Sequence, residues 1–291
     1  MSRLTRSLLS LAFAASAAVA APPAKAPVPA APGPRALVFC APGYPGTTEE
    51  AQPRMDDIAG AIAELSGWKT PLSATYFPQE KAGLARLAEA DVVFALVPLP
   101  FFLQHEAELK LTARLAVVQQ GLEATQAWTL VAKKGAVKSA ADLAGYQVFS
   151  TAGYAPDFVT KVALAGFGPL PAGVTVTSGG QVLSALRKAS GGKEKLVAVL
   201  DSEQAKALPT LPFAADLEVV FTGPKVPVAV VATLGERLPA ADWKSASAAF
   251  TKLPSVERGK AALEGVRLTG FVPLDDAALA AAKKAFRGSA K

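Results

Sequence analysis

Lys138–Phe158, KSAADLAGYQVFSTAGYAPDF, is the stretch whose reading decides the fold. Ser139 is a residue type that caps helix starts, Ala140 to Leu143 supports one or two helical turns, and Gly145 supplies the left-handed residue that ends them. Tyr146 to Phe149 then reads as a strand running into Ser150, Thr151, Ala152, Gly153 and Tyr154. Ala155 to Ala165 has helical spacing, with Pro156 tolerated in the first turn. A strand therefore delivers small hydroxyl residues to a helix start. Free backbone N–H groups, the positive end of a helix dipole and two hydroxyls in one place suit an oxyanion. Ser150 and Thr151 serve equally well as ordinary helix caps, so this stretch alone leaves both readings open.

The same plan recurs upstream. Arg35 to Ala41, RALVFCA, is a continuous apolar run of the kind buried on both faces of a parallel sheet. Pro42 to Gly46, PGYPG, is a turn, and Thr47 or Thr48 caps a helix reaching about Leu65, with Glu49 and Glu50 where the dipole favours acids. Trp68 to Tyr76 holds a short strand, Gln79 to Glu89 a helix, and Asp91 to Val97, DVVFALV, another buried strand ending at Pro98-Leu99-Pro100. This alternation predicts an α/β fold with a parallel sheet. Pro98 to Phe102, PLPFF, then stands at a strand's carboxyl end, where open α/β sheets bind ligands, although Phe101 and Phe102 themselves read as core.

Leu109 to Gln120 and Trp128 to Lys133 read as longer strands. After the stretch quoted first come a strand at Val174 to Thr177, a helix at Gly180 to Lys188, a buried strand at Leu196 to Leu200 ending in Asp201-Ser202, and a short helix at Glu203 to Leu208. Strands at Leu217 to Phe221 and Val226 to Thr233 flank Gly223-Pro224-Lys225. Helices are expected at Ala240 to Leu253, Ser255 to Leu263 and Ala277 to Phe286. No fixed-period repeat occurs, which excludes solenoids and propellers.

The chain has 291 residues, 51% of them hydrophobic, enough for one large domain or two modest ones. Met1 to Ala20 carries Arg3 and Arg6, the apolar run Leu8 to Ala15, and Ala18-Val19-Ala20, the order of a secretory signal peptide cleaved near Ala20–Ala21. Ala21 to Pro34 is an Ala/Pro-rich tether. No later stretch is apolar for long enough to span a membrane, and no lipid-anchoring Cys follows the leader, so an exported, soluble, periplasmic product is expected. The single cysteine, Cys40, cannot form an internal disulfide and reads as core. Removing Arg3 and Arg6 takes the formal charge from +6 to about +4, a mild surplus without basic runs that argues against nucleic acid.

With one histidine, His105, and one cysteine, no Cys/His metal site can be built, and no D-x-D-x-D-G loop is present, so no metal or cofactor is expected. A Ser-His-Asp triad would need His105, but there is no G-x-S-x-G elbow, and His105 reads as an exposed residue at a helix end. No phosphate loop or dinucleotide fingerprint is complete. The reading is that the protein is not an enzyme.

These elements resemble the type II periplasmic substrate-binding proteins of ABC transporters. Lys138 to Val148, KSAADLAGYQV, is similar to that family's S-x-x-D-L-x-G-x-x-V segment opening the second lobe. STAGY at 150 to 154, PLPFF at 98 to 102 and VAVLDSEQ at 197 to 204 look most like its phosphonate-binding, PhnD-like branch. The resemblance implies two α/β lobes joined by crossing strands, with a hinge and a ligand cleft between them. Residues 35–127 plus 226–291 would form the first lobe and 128–225 the second, with crossings near Ala127 to Leu130 and Gly223 to Pro227. It implies that Ser150, Thr151 and Gly153 hold oxyanion atoms, with Ala152 departing from the hydroxyl residue of relatives and Leu96-Val97-Pro98 lacking their tyrosine. Pro98 and Leu99 would line the cleft, and Asp201 matches an acidic position that can meet a ligand amino group. Tyr44, Thr47 and Thr48 would face Ser150, Thr151 and Tyr154 and close on a small anion of the phosphonate, phosphite or phosphate type by hinge motion. The implied partner of this monomer is an ABC permease. A sensor serving a membrane receptor kinase and a divergent exported hydrolase are the alternative readings.

Overall fold

The computed structural model describes residues Gly33 to Gly288; the expected signal peptide and nearly all of the tether lie outside them. Fully buried apolar strands set the frame. β1 (Arg35–Cys40) leads to α1 (Thr48–Ser66), β2 (Leu72–Phe77), α2 (Glu80–Leu87), β3 (Val92–Pro98), α3 (Leu99–His105) and β4 (Leu111–Gln119). β5 (Thr125–Lys133) opens a second sheet, followed by a 3₁₀ turn at Ala140–Leu143, β6 (Gln147–Ser150), α4 (Pro156–Phe158), β7 (Thr175–Ser178), α5 (Val182–Gly191), β8 (Leu196–Leu200), α6 (Ser202–Ala207) and β9 (Leu217–Pro227). The chain returns through β10 (Ala229–Leu234), α7 (Ala240–Lys252), α8 (Glu257–Gly265), β11 (Leu268–Val272) and α9 (Asp276–Arg287).

The first sheet has the order β11-β4-β10-β3-β1-β2 and the second β7-β6-β8-β5-β9. In each, strands linked through helices run parallel (β1 with β2 and β3, β6 with β7 and β8), as crossover connections require. The strands that carry the chain between sheets run antiparallel to their neighbours, β10 against β3 and β4, β5 against β8 and β9. The two passages lie side by side: β5 pairs with β9 down to Thr125 opposite Pro227, and the Val228 amide donates to Ala124 O at 3.0 Å. This double strand is the joint between the lobes.

The outer face of the first sheet packs on α1, α7 and α8 around Phe94, which stacks on Trp68 at 6.1 Å and meets Phe250 edge-on at 5.4 Å. A separate cluster under α5 seals the outer face of the second sheet. The remaining faces share one core. Val38, Leu99, Phe101 and Phe102 belong to the same apolar cluster as Leu130, Val148, Phe158 and Val159, with Leu279 and Ala282 of α9. Cys40 is buried there as the sequence suggests, its thiol pushed up to about 12 by burial and then by the Glu80 carboxylate.

Three expectations need correction, and one strand went unassigned. The helix expected over 155–165 is one α turn that widens into a π turn at Val159–Ala163, which places Phe158, Val159, Val162 and Ala163 in the shared core. The strand expected to stop at Phe221 continues through Gly223-Pro224-Lys225 and breaks only at Val228. A register shift between Ala127 and Thr129 absorbs the proline, and glycine is needed at 223 because any Cβ there would stand 2.1 Å from Ala163 O. β11 had no sequence assignment; it is a five-residue edge strand interrupted by Gly270. His105 is buried rather than exposed, its Nε2 2.8 Å from Glu80 Oε1 and its ring 4.7 Å from Phe101, because six of the seven residues of α3 are buried and only Gln104 reaches the surface.

Candidate functional site

The carboxyl ends of β1 and β3 in the first lobe and of β6 and β8 in the second face one another across a cavity of about 450 Å³. That position follows from topology, since parallel strands deliver their loops to one side of each sheet. The lobes meet at Gly43, whose φ of 83° only glycine adopts freely; a Cβ there would stand 2.9 Å from Thr151 O.

On the first-lobe side, Tyr44 fills the centre of the wall. Burial, then the Asp201 carboxylate, holds its phenol well above the ordinary range, against a lowering contribution from Gln119. Tyr76 stands beside it, pushed up to about 12 by burial and then by Cys40, and its hydroxyl donates to Pro45 O at 3.2 Å. Thr47 is committed to α1: its hydroxyl accepts from the Glu50 amide while the Glu50 carboxylate accepts from the Thr47 amide, a complete capping box. Thr48 donates to Tyr76 O at 2.8 Å. Pro98 lines the cavity, whereas Leu99 is fully buried and its amide donates to Val228 O at 3.1 Å.

On the second-lobe side, only Thr151 of the STAGY loop reaches the main cavity. Its hydroxyl accepts from Gln204 Nε2 at 3.3 Å. Ser150 is sealed beneath, donating to Val199 O at 2.8 Å and accepting from the Ala152 amide at 3.2 Å. The Gly153 and Ala155 amides bond to Ser150 O and Ala152 O, so three amides of the expected oxyanion loop are engaged within the turn. Gly153 packs on the backbone of Thr177, and Tyr154 points into a smaller chamber behind Thr151.

Asp201 is the buried ionisable group facing the cavity, 6% exposed. It caps α6 by accepting from the Gln204 amide at 2.8 Å, with Gln204 Oε1 returning a bond to the Asp201 amide. Desolvation raises its carboxyl to about 6, the capping amide opposing that rise and Glu203 adding to it. No cation pairs with Asp201 among the described residues. The two arginines of the cavity rim are both engaged, Arg54 with Asp57 at 3.8 Å and Arg267 with Glu203.

No family model matches the chain, and no curated protein matches it. Solved structures do. XAC2383 from Xanthomonas citri, in its chloride-bound form, superposes with a TM-score of 0.66 at 16% identity, covering 87% of this chain and 97% of that one. PhnD1 from Prochlorococcus marinus, in complex with methylphosphonate, gives 0.60 at 11% identity over 87% and 97%. The binding protein component of an ABC phosphonate transporter from Pseudomonas aeruginosa gives 0.52 at 15% over 84% and 83%.

The fold is that of the type II periplasmic binding proteins. The cavity around Tyr44, Thr151 and Asp201 lies between the two lobes of this fold. Sequence reading missed the residues that complete this cleft: Tyr76, Gln119, Gln120, Glu203, Gln204 and Arg267. Gln204 had a signal, since D-x-x-Q is a capping pattern that fixes the glutamine over the cleft. Arg267 has a left-handed backbone, φ 59°, and closes the mouth by pairing across it with Glu203. Because both partners are largely solvated, Arg267→Gly is expected to cost no more than about 1 kcal/mol in thermal unfolding, a loss that shrinks at high salt. Glycine suits that backbone, so the substitution isolates the side chain.

Proposed function

We propose that this chain is an exported solute-binding protein that captures a small organic solute of the phosphonate, phosphite or phosphate type in its interlobe cleft and delivers it to an ABC permease. The solute it fits best carries an amino group as well as its acidic end. The observation that carries this reading is Asp201, a buried carboxylate with no cationic partner, facing a cavity of about 450 Å³, within the range of small-molecule sites. An ammonium on the ligand would restore the charge balance that burial has upset. A bare anion finds no unpaired cation, because Arg54 and Arg267 are both engaged. The acidic end is left to Thr151, Gln204 and Gln119, neutral groups whose hydrogen bonds to a charged oxygen contribute about 1.5–3 kcal/mol each. Two of the structural neighbours are described as phosphonate binders, which supports the class of solute.

The test is thermal unfolding of the mature protein, refolded free of carried-over ligand, against 2-aminoethylphosphonate, methylphosphonate, phosphate, phosphite and sulfate. A true ligand at a hundredfold excess over its dissociation constant should add about 2.7 kcal/mol. The expected order places 2-aminoethylphosphonate first. A shift with phosphate or sulfate equal to that of the amino compound would remove Asp201 from the reading.

A further inference from the structure

Behind Tyr44, Pro98 and Thr151, which it shares as a wall with the main cleft, lies a chamber of about 10 Å³. That is room for a single atom or one water. Pro42, Pro100, Ala152 and Val228 make most of its surface apolar. Trp128 and Tyr154 of the second lobe are among its lining residues, and each carries a polar atom, Nε1 and Oη, that is buried without a side-chain hydrogen-bond partner. Trp128 is 4% exposed. The Phe101 backbone amide reaches Tyr154 Oη and opposes the rise of its phenol, and as a donor it leaves the phenol proton free.

Leaving a buried donor unmade costs about 1–3 kcal/mol, so two at one chamber mark a site awaiting an acceptor. Several acceptors of the wall already take one hydrogen bond each. Gln126 Oε1 takes the Ser202 amide at 3.2 Å, Thr151 Oγ1 takes Gln204 Nε2, Val228 O takes the Leu99 amide, and Ala152 O takes the Ala155 amide at 2.9 Å. A water could still donate into the second lone pair of those oxygens, whereas an atom that only accepts answers the two unpaired donors and asks nothing further of the wall.

We propose that this chamber is a subsite for one hydrogen-bond-accepting, negatively charged atom, held by Trp128 Nε1–H and Tyr154 Oη–H. The atom comes from one of two sources: a free halide ion, or an oxygen of the cleft's solute projecting past Tyr44. The halide source stands on the chamber alone, and the oxygen source rests on the solute-binding reading.

Bromide separates these cases, because it quenches tryptophan emission on contact. The mature protein in sodium gluconate is titrated with sodium bromide at constant ionic strength. A saturable quenching component is expected above the linear, collisional one. Trp128→Phe should abolish it, leaving Trp68 and Trp243 as the emitting residues. Tyr154→Phe should raise the half-saturation at least tenfold while keeping the melting temperature of the parent, since it removes an unpaired donor. Added 2-aminoethylphosphonate should displace bromide if a solute oxygen uses the same chamber, and saturation that it leaves untouched assigns the halide source. Linear quenching alone, or a saturable component that survives both substitutions, would overturn the proposal whether or not the cleft binds a solute.

Discussion

Gly153→Ala is expected to lower the unfolding free energy by about 3 kcal/mol or more, read from chemical denaturation. A Cβ at this position would stand 2.2 Å from Thr177 O, 2.5 Å from Thr177 C and 2.9 Å from Ser178 Cα. These are backbone atoms of β7, so no side chain can rotate away. β7 is held to β6 by a parallel ladder from Gln147–Thr175 to Ser150–Ser178, and relief of the clash must break that ladder or shift the loop carrying Thr151. The glycine that sequence reading assigned to ligand contact is thus committed to bringing the loop against the sheet. Gly191→Ala is the control: this glycine ends α5 with nothing within 4 Å of its Cβ direction, and the substitution should be neutral or stabilising by up to about 1 kcal/mol.

Asp201→Asn is expected to stabilise the empty protein by about 2–3 kcal/mol near pH 8, an effect that disappears toward pH 4. The folded-state value of about 6 lies above the ordinary 3.8, so the fold favours the protonated acid. Its contribution is therefore fully present below the unfolded value and is lost as pH rises through 6. Asparagine keeps an Oδ1 for the Gln204 amide, so the α6 cap survives while the charge is removed. Melting curves of the two proteins across this pH range check the sign directly. A parent protein equally stable at both ends would mean that Asp201 is not desolvated. Strain of this kind in the empty state is what a ligand ammonium relieves, which links the stability change to capture.

Most of the architecture was legible because its carriers are unambiguous. ALVFC after Arg35, VVFALV and LVAVL are apolar without interruption, and only strands buried on both faces of an α/β sheet tolerate that. Phe101 and Phe102 lie in the core, as their composition suggests. What escaped were features decided by tertiary contact. β11 is too short, and too interrupted by Thr269 and Gly270, to stand out, and it forms along the edge that β4 offers. The π turn after Phe158 follows from seating Val159 and Val162 against both lobes, a demand invisible in local spacing. His105 sits among acidic neighbours in LQHEAE, yet its burial is set by α3 and by Glu80 on another helix.

The site was legible at a coarser grain. Both loops quoted from the sequence do meet, but periodicity could not tell which hydroxyl faces outward. Thr151 reaches the cleft while Ser150, one residue earlier on the opposite side of the strand, is spent on Val199 O. Thr47 and Thr48 show the same division of labour between capping and cross-strand bonding. Trp128 gave no local signal, and Tyr154 was read only as a cleft residue facing the first lobe, since an unpartnered donor exists only once the surrounding acceptors are in place.

Calorimetric titration of 2-aminoethylphosphonate into the mature protein near pH 7.5 and near pH 5 tests the central claim most directly. With Asp201 ionised at the higher pH, micromolar binding is expected, weakening about tenfold at the lower one as the carboxylate is protonated. Asp201→Asn should bind about 10- to 100-fold more weakly near pH 7.5 and lose the pH dependence. Binding of equal strength at both pH values, unchanged in Asp201→Asn, or no heat at either pH, would contradict a cleft built around that carboxylate.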